Sequence, residues 1–303
     1  MSETRAAMTV LRKAVPASAV AVIESLIERG SDRELNRINT LALAAKTGVS
    51  EDALISGFLH ASRLGLFEMA WNVLCPGCGG VLDSKASLRS VDRNEYHCLL
   101  CAAGYEPTLD EMVEVTFTIS PRVRGIAAHR PHELPFAEYF RQVFWSSGVD
   151  LPDDFDRLME EVCLDSLELP AGEKAILSLH LPAEFVILFE PVTHSVQFLD
   201  VKGEPKRERQ NVSVIFDKDH AANAALQMRP GPLRVVLDNR SGQRVLPGIW
   251  VAGHQLHDLL GRRRPFLTAK RLLTNQTFRD ILPDGDAGRR SADEDHQPDI
   301  PVH

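Results

Sequence analysis

Apolar residues along this chain recur first at helical spacing and later at a spacing of two. Val20, Ile23, Leu26 and Ile27 form one stripe from Ser18 to Arg29, and Gly30 supplies a stop. The stripe resumes through Ile38, Leu41 and Ala45 between Leu35 and Lys46, and Thr47, Gly48 and Val49 make a turn. Ser50 then caps a third helix through Ala53, Ile55, Phe58, Leu59 and Leu64, whose positive N-terminal end suits Glu51 and Asp52. A helix, a tight turn and a second helix predict a winged-helix-like helical unit over residues 1–70.

Past residue 110 the period becomes two. Val113, Val115, Phe117 and Ile119 alternate with Glu114, Thr116 and Thr118, as in a strand with one buried face. Phe136, Phe140, Val143 and Phe144 mark a helix starting near Pro135, and Phe155 to Val162 marks another. Short strands follow: Cys163 to Leu169, Ala175 to Leu181, Phe185 to Phe189, Ser195 to Val201, Asn211 to Phe216, Leu233 to Leu237 and Arg244 to Val251. Turns rich in Pro and Gly separate them, and the spacing predicts an antiparallel β-sandwich with an inserted helix over residues 110–260. Cys163 alternates with Leu167 and Leu169 and reads as a core residue. Residues 261–282 read as a basic linker in which Phe266 to Leu282 forms one C-terminal helix. Residues 283–303 lack periodicity and the apolar content that would offset ordering, so a disordered tail is expected there. The predicted class is a multidomain α+β chain.

Composition narrows the function classes. The 303 residues are 44% hydrophobic, enough to bury two or three cores, and there is no run of eighteen apolar residues. The segment from Met1 to Val15 carries charge without the apolar centre of a signal peptide. A net charge of -8 excludes a general electrostatic attraction to nucleic acid or to an anionic membrane. In a DNA-reading helix-turn-helix, the start of the second helix needs Lys or Arg near phosphate; here it holds Ser50, Glu51 and Asp52, which disfavours nucleic acid as a partner.

The strongest chemical signal lies in residues 71–109. Cys75-Pro76-Gly77-Cys78 is followed, after nineteen residues, by Cys98-Leu99-Leu100-Cys101. Two C-x-x-C knuckles on adjoining hairpin tips supply the four soft, tetrahedral ligands that a structural zinc ion takes, so a zinc ribbon is predicted. Gly79, Gly80 and Gly104 are expected to give the positive-φ turns that aim amides at the thiolates, with Val81 to Val91 and Asn94 to His97 as the strands. A thioredoxin-like redox pair would need a βαβ setting that neither knuckle has. Four protein ligands close the coordination sphere, which points to structure and not to catalysis. The cysteine usage places the chain in a reducing cytoplasm.

Arg262, Arg263, Arg264, Lys270 and Arg271 form the densest basic patch, an anion- or partner-contact candidate whose plain alternative is a solvated charged hinge. No serine-hydrolase elbow, zinc-protease helix, phosphate-binding loop or dinucleotide fingerprint is legible, so no catalytic residue is assigned and no enzyme is expected.

Five phrases of the chain, FEMAWNVLCPGCGGVLD, EYHCLLCAAGYEPTLDEMVEVTFTISPRVR, YFRQVFWSSGVDLP, LPAEFVILFEPVTHSVQFLDVKGEP and RRRPFLTAKRLLTNQTFRDIL, together carry a resemblance. From Phe67 to Leu282 the chain resembles the uncharacterised N-terminal region of a group of bacterial class III adenylate/guanylate cyclases. The resemblance implies a catalytic domain after the Leu282 position, which the twenty or so residues that remain cannot form. It therefore implies a regulatory or sensor module in cyclic-nucleotide signalling that acts through a protein partner such as a nucleotide cyclase, or through a small ligand. A winged-helix and zinc-ribbon transcription regulator, and a ligand-binding protein or enzyme with a cleft beside the ribbon, are the other two readings.

Overall fold

The computed structural model describes residues 2–92, 95–217 and 224–281. It begins with four helices: α1 (Ser2–Ala14), α2 (Ala17–Arg29), α3 (Thr40–Thr47) and α4 (Glu51–Arg63). The first carries only a thin apolar stripe, through which Met8 and Leu11 face the core. Gly30 ends α2 in an extended conformation, and it is glycine because a Cβ would stand 2.6 Å from the Leu26 carbonyl oxygen. The expected helix from Leu35 begins only at Thr40. Asn39 caps it, its Oδ1 accepting from the amides of Leu41 and Ala42 at 3.1 Å each, while Ile38 N donates to Phe117 O at 2.8 Å as a β-bridge. Gly48 turns the chain at φ 72°, and Ser50 Oγ accepts from Ala53 N at the start of α4.

Strands β1 (Phe67–Leu74), β2 (Val81–Lys85), β3 (Tyr96–Cys98), β4 (Ala103–Tyr105) and β5 (Val113–Ile119) follow. The antiparallel order β2-β1-β5 makes one sheet, and β3-β4 is a separate hairpin. The strand expected to reach Val91 ends at Lys85, and Ser87 Oγ caps a 3-10 turn over Leu88–Ser90 by accepting from Arg89 N.

Short α5 (Phe136–Tyr139) runs on into a π-helical turn (Phe140–Phe144) whose Trp145 N bonds Phe140 O, and α6 (Phe155–Val162) comes next. Then come β6 (Cys163–Ser166), β7 (Lys174–Leu181), β8 (Phe185–Glu190), β9 (Ser195–Val201), β10 (Gln210–Phe216), β11 (Leu226–Met228), β12 (Gly231–Asn239) and β13 (Gly248–Val251). They form two sheets, β10-β12-β7 and β11-β9-β8-β13-β6, and inward side chains such as Phe216, Leu237, Val186 and Leu199 share one core. The prediction of purely antiparallel sheets is corrected: β10 with β12, and β11 with β9, are parallel. After β10 the chain crosses to the other sheet as β11 and returns as β12, so β10 and β12 run the same way.

The chain closes with α7 (His254–Gly261), α8 (Ala269–Thr274) and α9 (Gln276–Ile281). The single helix expected over Phe266 to Leu282 is broken. Val115 N donates to Leu267 O at 2.7 Å in an extended segment, and Asn275 Oδ1 accepts from Phe278 N to restart the chain as α9. Leu267, Ala269, Leu272 and Phe278 enter the core made by α1, α2, α4, β1 and β5, where the rings of Phe67 and Phe117 lie 5.1 and 5.3 Å from that of Phe58. Ends and middle of the sequence thus share one apolar interior. The predicted tail, residues 283–303, lies outside the described residues, and among the described residues no helix is long and apolar enough to cross a membrane.

Candidate metal centre

The knuckles sit on two hairpin tips. Cys75 follows the last residue of β1, Cys78 precedes β2, Cys98 ends β3 and Cys101 leads into β4. This folding brings the four Sγ atoms within 4.8 Å of one another, with Cys75 to Cys101 at 3.5 Å and Cys78 to Cys98 at 3.7 Å. Four thiolates at about 2.3 Å around a tetrahedral ion would stand about 3.8 Å apart, so the donors are already near coordination spacing. Cys75, Cys78 and Cys98 are buried and Cys101 is half-buried, and none is in a disulfide. The thiols share protons closely: hydrogen bonding with Cys101, Cys78 and Cys98 draws Cys75 below the ordinary thiol range, whereas bonding with Cys101 and Cys75 pushes Cys78 above it. A soft cation that replaced those protons would relieve the crowding, and the set could hold one.

Backbone geometry completes each knuckle. Cys78 N points at Cys75 Sγ (3.5 Å) and Gly80 N at Cys78 Sγ (3.4 Å), while Gly79 N closes the turn on Cys75 O at 2.8 Å. Of the glycines expected to take positive φ, only Gly79 does, at 76°; the corresponding residue of the second knuckle is Ala102, at 50°. Gly80 is needed for another reason, since a Cβ there would meet the Phe144 ring at 2.8 Å. Gly104 lies inside β4, where a Cβ would run into the Glu95 carboxylate. These roles are steric and tertiary, so the residue order alone did not show them.

An aromatic shell packs on the tips. Phe140, Phe144, Trp145 and Trp250 share a core with Cys75, Cys78 and Cys98, and Phe144 lies 4.5 Å from Trp145 and 5.0 Å from Phe189, ring to ring. The cluster therefore stands where the two hairpin tips, the inserted π turn and the β-rich region meet. Beside it, Glu114 is fully buried, accepting from Asn72 Nδ2 at 3.0 Å and from Ser147 Oγ at 2.5 Å, and burial pushes its carboxyl above the ordinary range. Cys163 is separate: its Sγ donates to Asp165 O, and burial pushes its thiol up to about 11, as suits a core residue.

The five basic residues do not converge. Arg262 offers its carbonyl to Asp150 N at 3.0 Å, and Arg263 Nη2 donates to Gly77 O at 2.8 Å. Arg264 Nε donates to Ser147 O and its guanidinium pairs with Asp150 at 3.4 Å. Lys270 pairs with Asp110 at 2.5 Å and Arg271 with Glu51 at 2.6 Å. The contact of Arg263 with the first knuckle was not foreseen, because 186 residues separate the partners.

A family model described as a family of unknown function, DUF5939, matches residues 1–280. No curated protein and no solved structure matches the chain.

Proposed function

The chain belongs to the DUF5939 family, and we propose that it is a non-catalytic, zinc-binding regulatory module. In this reading the helical region is a winged-helix unit, the two hairpins are a zinc ribbon, and the β-rich region is a sandwich. The observation that carries it is the closed set of four cysteines, Cys75, Cys78, Cys98 and Cys101, wedged between packed regions. Zinc bound there supplies a cross-link between the hairpin tips and keeps no position for water or substrate, so its work is to fix the relative placement of what surrounds it. The extended segment before α8 crosses that joint and is the natural output. The resemblance of residues 67–282 to the N-terminal region of class III cyclases is what points this reading to a nucleotide cyclase as the partner, in a cytoplasmic setting.

A DNA-reading role is less well supported by the geometry of α4. Leu54, Ile55, Phe58, Leu59 and Ala61 are buried, α9 packs along the helix, and Glu51 at its start is paired with Arg271. A recognition helix needs a free face with cations for phosphate.

Two measurements test the proposal. Metal content by mass spectrometry of the purified protein is expected to give one zinc per chain, lost in Cys98→Ser. A class III catalytic domain fused behind residue 282 should then change its cyclic-nucleotide output on chelation or in the Cys98→Ser variant. Equal output from loaded and stripped fusions, with both folded, would remove the regulatory reading.

A further inference from the structure

Four thiolates around one divalent ion leave a surplus of about two negative charges at the cluster. The knuckle amides of Cys78 and Gly80 meet part of it with their partial charges. A full cation stands beside them. Arg263 Nη2 donates to Gly77 O at 2.8 Å, and its guanidinium lies so close over Gly79 that a Cβ there would stand 2.9 Å from Cζ. It thus lies against the residues that precede and follow Cys78. Among the described residues no ion pair joins Arg263 to Asp or Glu, whereas Arg264, Lys270 and Arg271 each have an acidic partner.

The same segment is stitched to the knuckle through a third stretch of chain. Ser146 N donates to Gly79 O at 3.0 Å, Arg264 N to Gly148 O at 3.0 Å and Asp150 N to Arg262 O at 3.0 Å, with a bridge between Val149 and Arg263. Asn39 Nδ2 holds Ser147 O and Pro265 O from the other side.

We infer that Arg263 is the charge partner of the metal-loaded first knuckle, and that through it metal occupancy holds residues 262–268 against residues 146–150. Arg263 is a positioning residue, and the inference rests on the reading of the four cysteines as a metal site. Linkage makes the coupling reciprocal: a docked segment tightens the metal, and the metal tightens the segment by the same factor. The ligand sensed at this joint is then the divalent soft metal itself, and the response is the exit of the C-terminal segment.

The test uses the full chain and Zn²⁺. Zinc affinity is measured by competition with a chromophoric chelator for the wild type, Arg263→Gln, Arg263→Lys and Arg271→Gln. Arg263→Gln is expected to bind zinc about tenfold more weakly, at the low end for an outer partner of a metal ligand because the side chain is exposed. Arg263→Lys should fall between, and Arg271→Gln, whose partner Glu51 lies outside both segments, should match the wild type. Hydrogen exchange on the wild type, which needs no substitution to fold, should show the amides of Ser146, Asp150 and Arg264 losing protection when zinc is stripped, with those of β12 unchanged. A wild type that binds zinc while Arg263→Gln binds it equally well, or exchange indifferent to zinc at those three amides, overturns the coupling alone. A wild type that binds no zinc overturns the metal reading along with it.

Discussion

Gly79→Ala separates the local cost of a left-handed residue from the cost of crowding the joint. An L residue held in the left-handed region costs about 1 to 2 kcal/mol, and Gly79 has φ 76°. The new Cβ would also stand 2.6 Å from Cγ2 of Val149, which is 1% exposed and has no room to retreat; overpacking of that kind costs about 1 to 3 kcal/mol. It would collide with the Arg263 guanidinium as well, and the lost bond to Gly77 O adds about 0.5 to 1 kcal/mol. Together these come to about 2.5 to 6 kcal/mol. The second knuckle provides the control, because Ala102 already carries a Cβ at φ 50°. Ala102→Gly should relieve that strain and be neutral or stabilising by up to about 1 kcal/mol, after the entropy that glycine loses. Urea unfolding of the zinc-loaded chain followed by tryptophan fluorescence is a suitable assay, since Trp145 and Trp250 belong to the core around the cysteines. A loss of about 1 kcal/mol or less in Gly79→Ala would show that only the dihedral matters, and would refute the packing of Val149 and Arg263 on the knuckle.

Other outcomes can be checked in the same way. Glu114→Gln should gain on the wild type as pH rises: a carboxyl whose folded value is raised stabilises below its unfolded value near 4.3, and that contribution is lost as pH climbs through the folded value. Urea midpoints of both proteins at pH 5 and pH 8 measure the difference, and a constant gap would mean that Glu114 is not held up by burial. Asn239→Ala should cost about 2 to 4 kcal/mol, because the Asn239 side chain is fully buried, its Nδ2 serves the carbonyls of Leu169, Pro170 and Gln243, and its Oδ1 accepts from Ser241 N and Oγ. Arg271→Ala, by contrast, should shift the thermal midpoint by little, less than about 1 kcal/mol, since it breaks a pair with Glu51 in which both side chains are more than two-fifths exposed.

What the sequence made legible follows from how local each signal is. The α4 boundary was readable from Ser50, because a cap acts within a few residues, and alternation marked β5 as a strand; its expected polar face is corrected, since Glu114 and Thr116 are buried as fully as Val115 and Phe117. The four cysteines were readable because metal geometry dictates their spacing. Signals carried by distant partners were not. Helix α3 starts at Thr40 because Ile38 is drawn into a bridge with Phe117, and the C-terminal helix breaks because Leu267 is claimed by Val115. The parallel pairing of β10 with β12 depends on Leu226–Met228, three residues too few for a periodicity signal. Arg262, Arg263 and Arg264 read as one patch, yet their side chains and carbonyls go to different partners.

The π turn at Phe140–Phe144 is held by partners far away in the chain. At its end the carbonyls of Gln142 and Val143 have passed beyond helical partners, and they are taken by Asn36 Nδ2 at 2.7 Å and by Arg37 Nη1, side chains 106 residues earlier. Arg37 is itself held at φ 45° to make that reach. Closing so long a loop is an entropic cost that local helix formation cannot recover on its own. The shape of the aromatic turn that packs with Cys75 and Cys78 is therefore tied to the docking of Asn36 and Arg37. The cysteine set itself is local, its outermost members 26 residues apart, whereas the aromatic wall behind it depends on long-range closure; one centre thus joins a short-range and a long-range part of the fold.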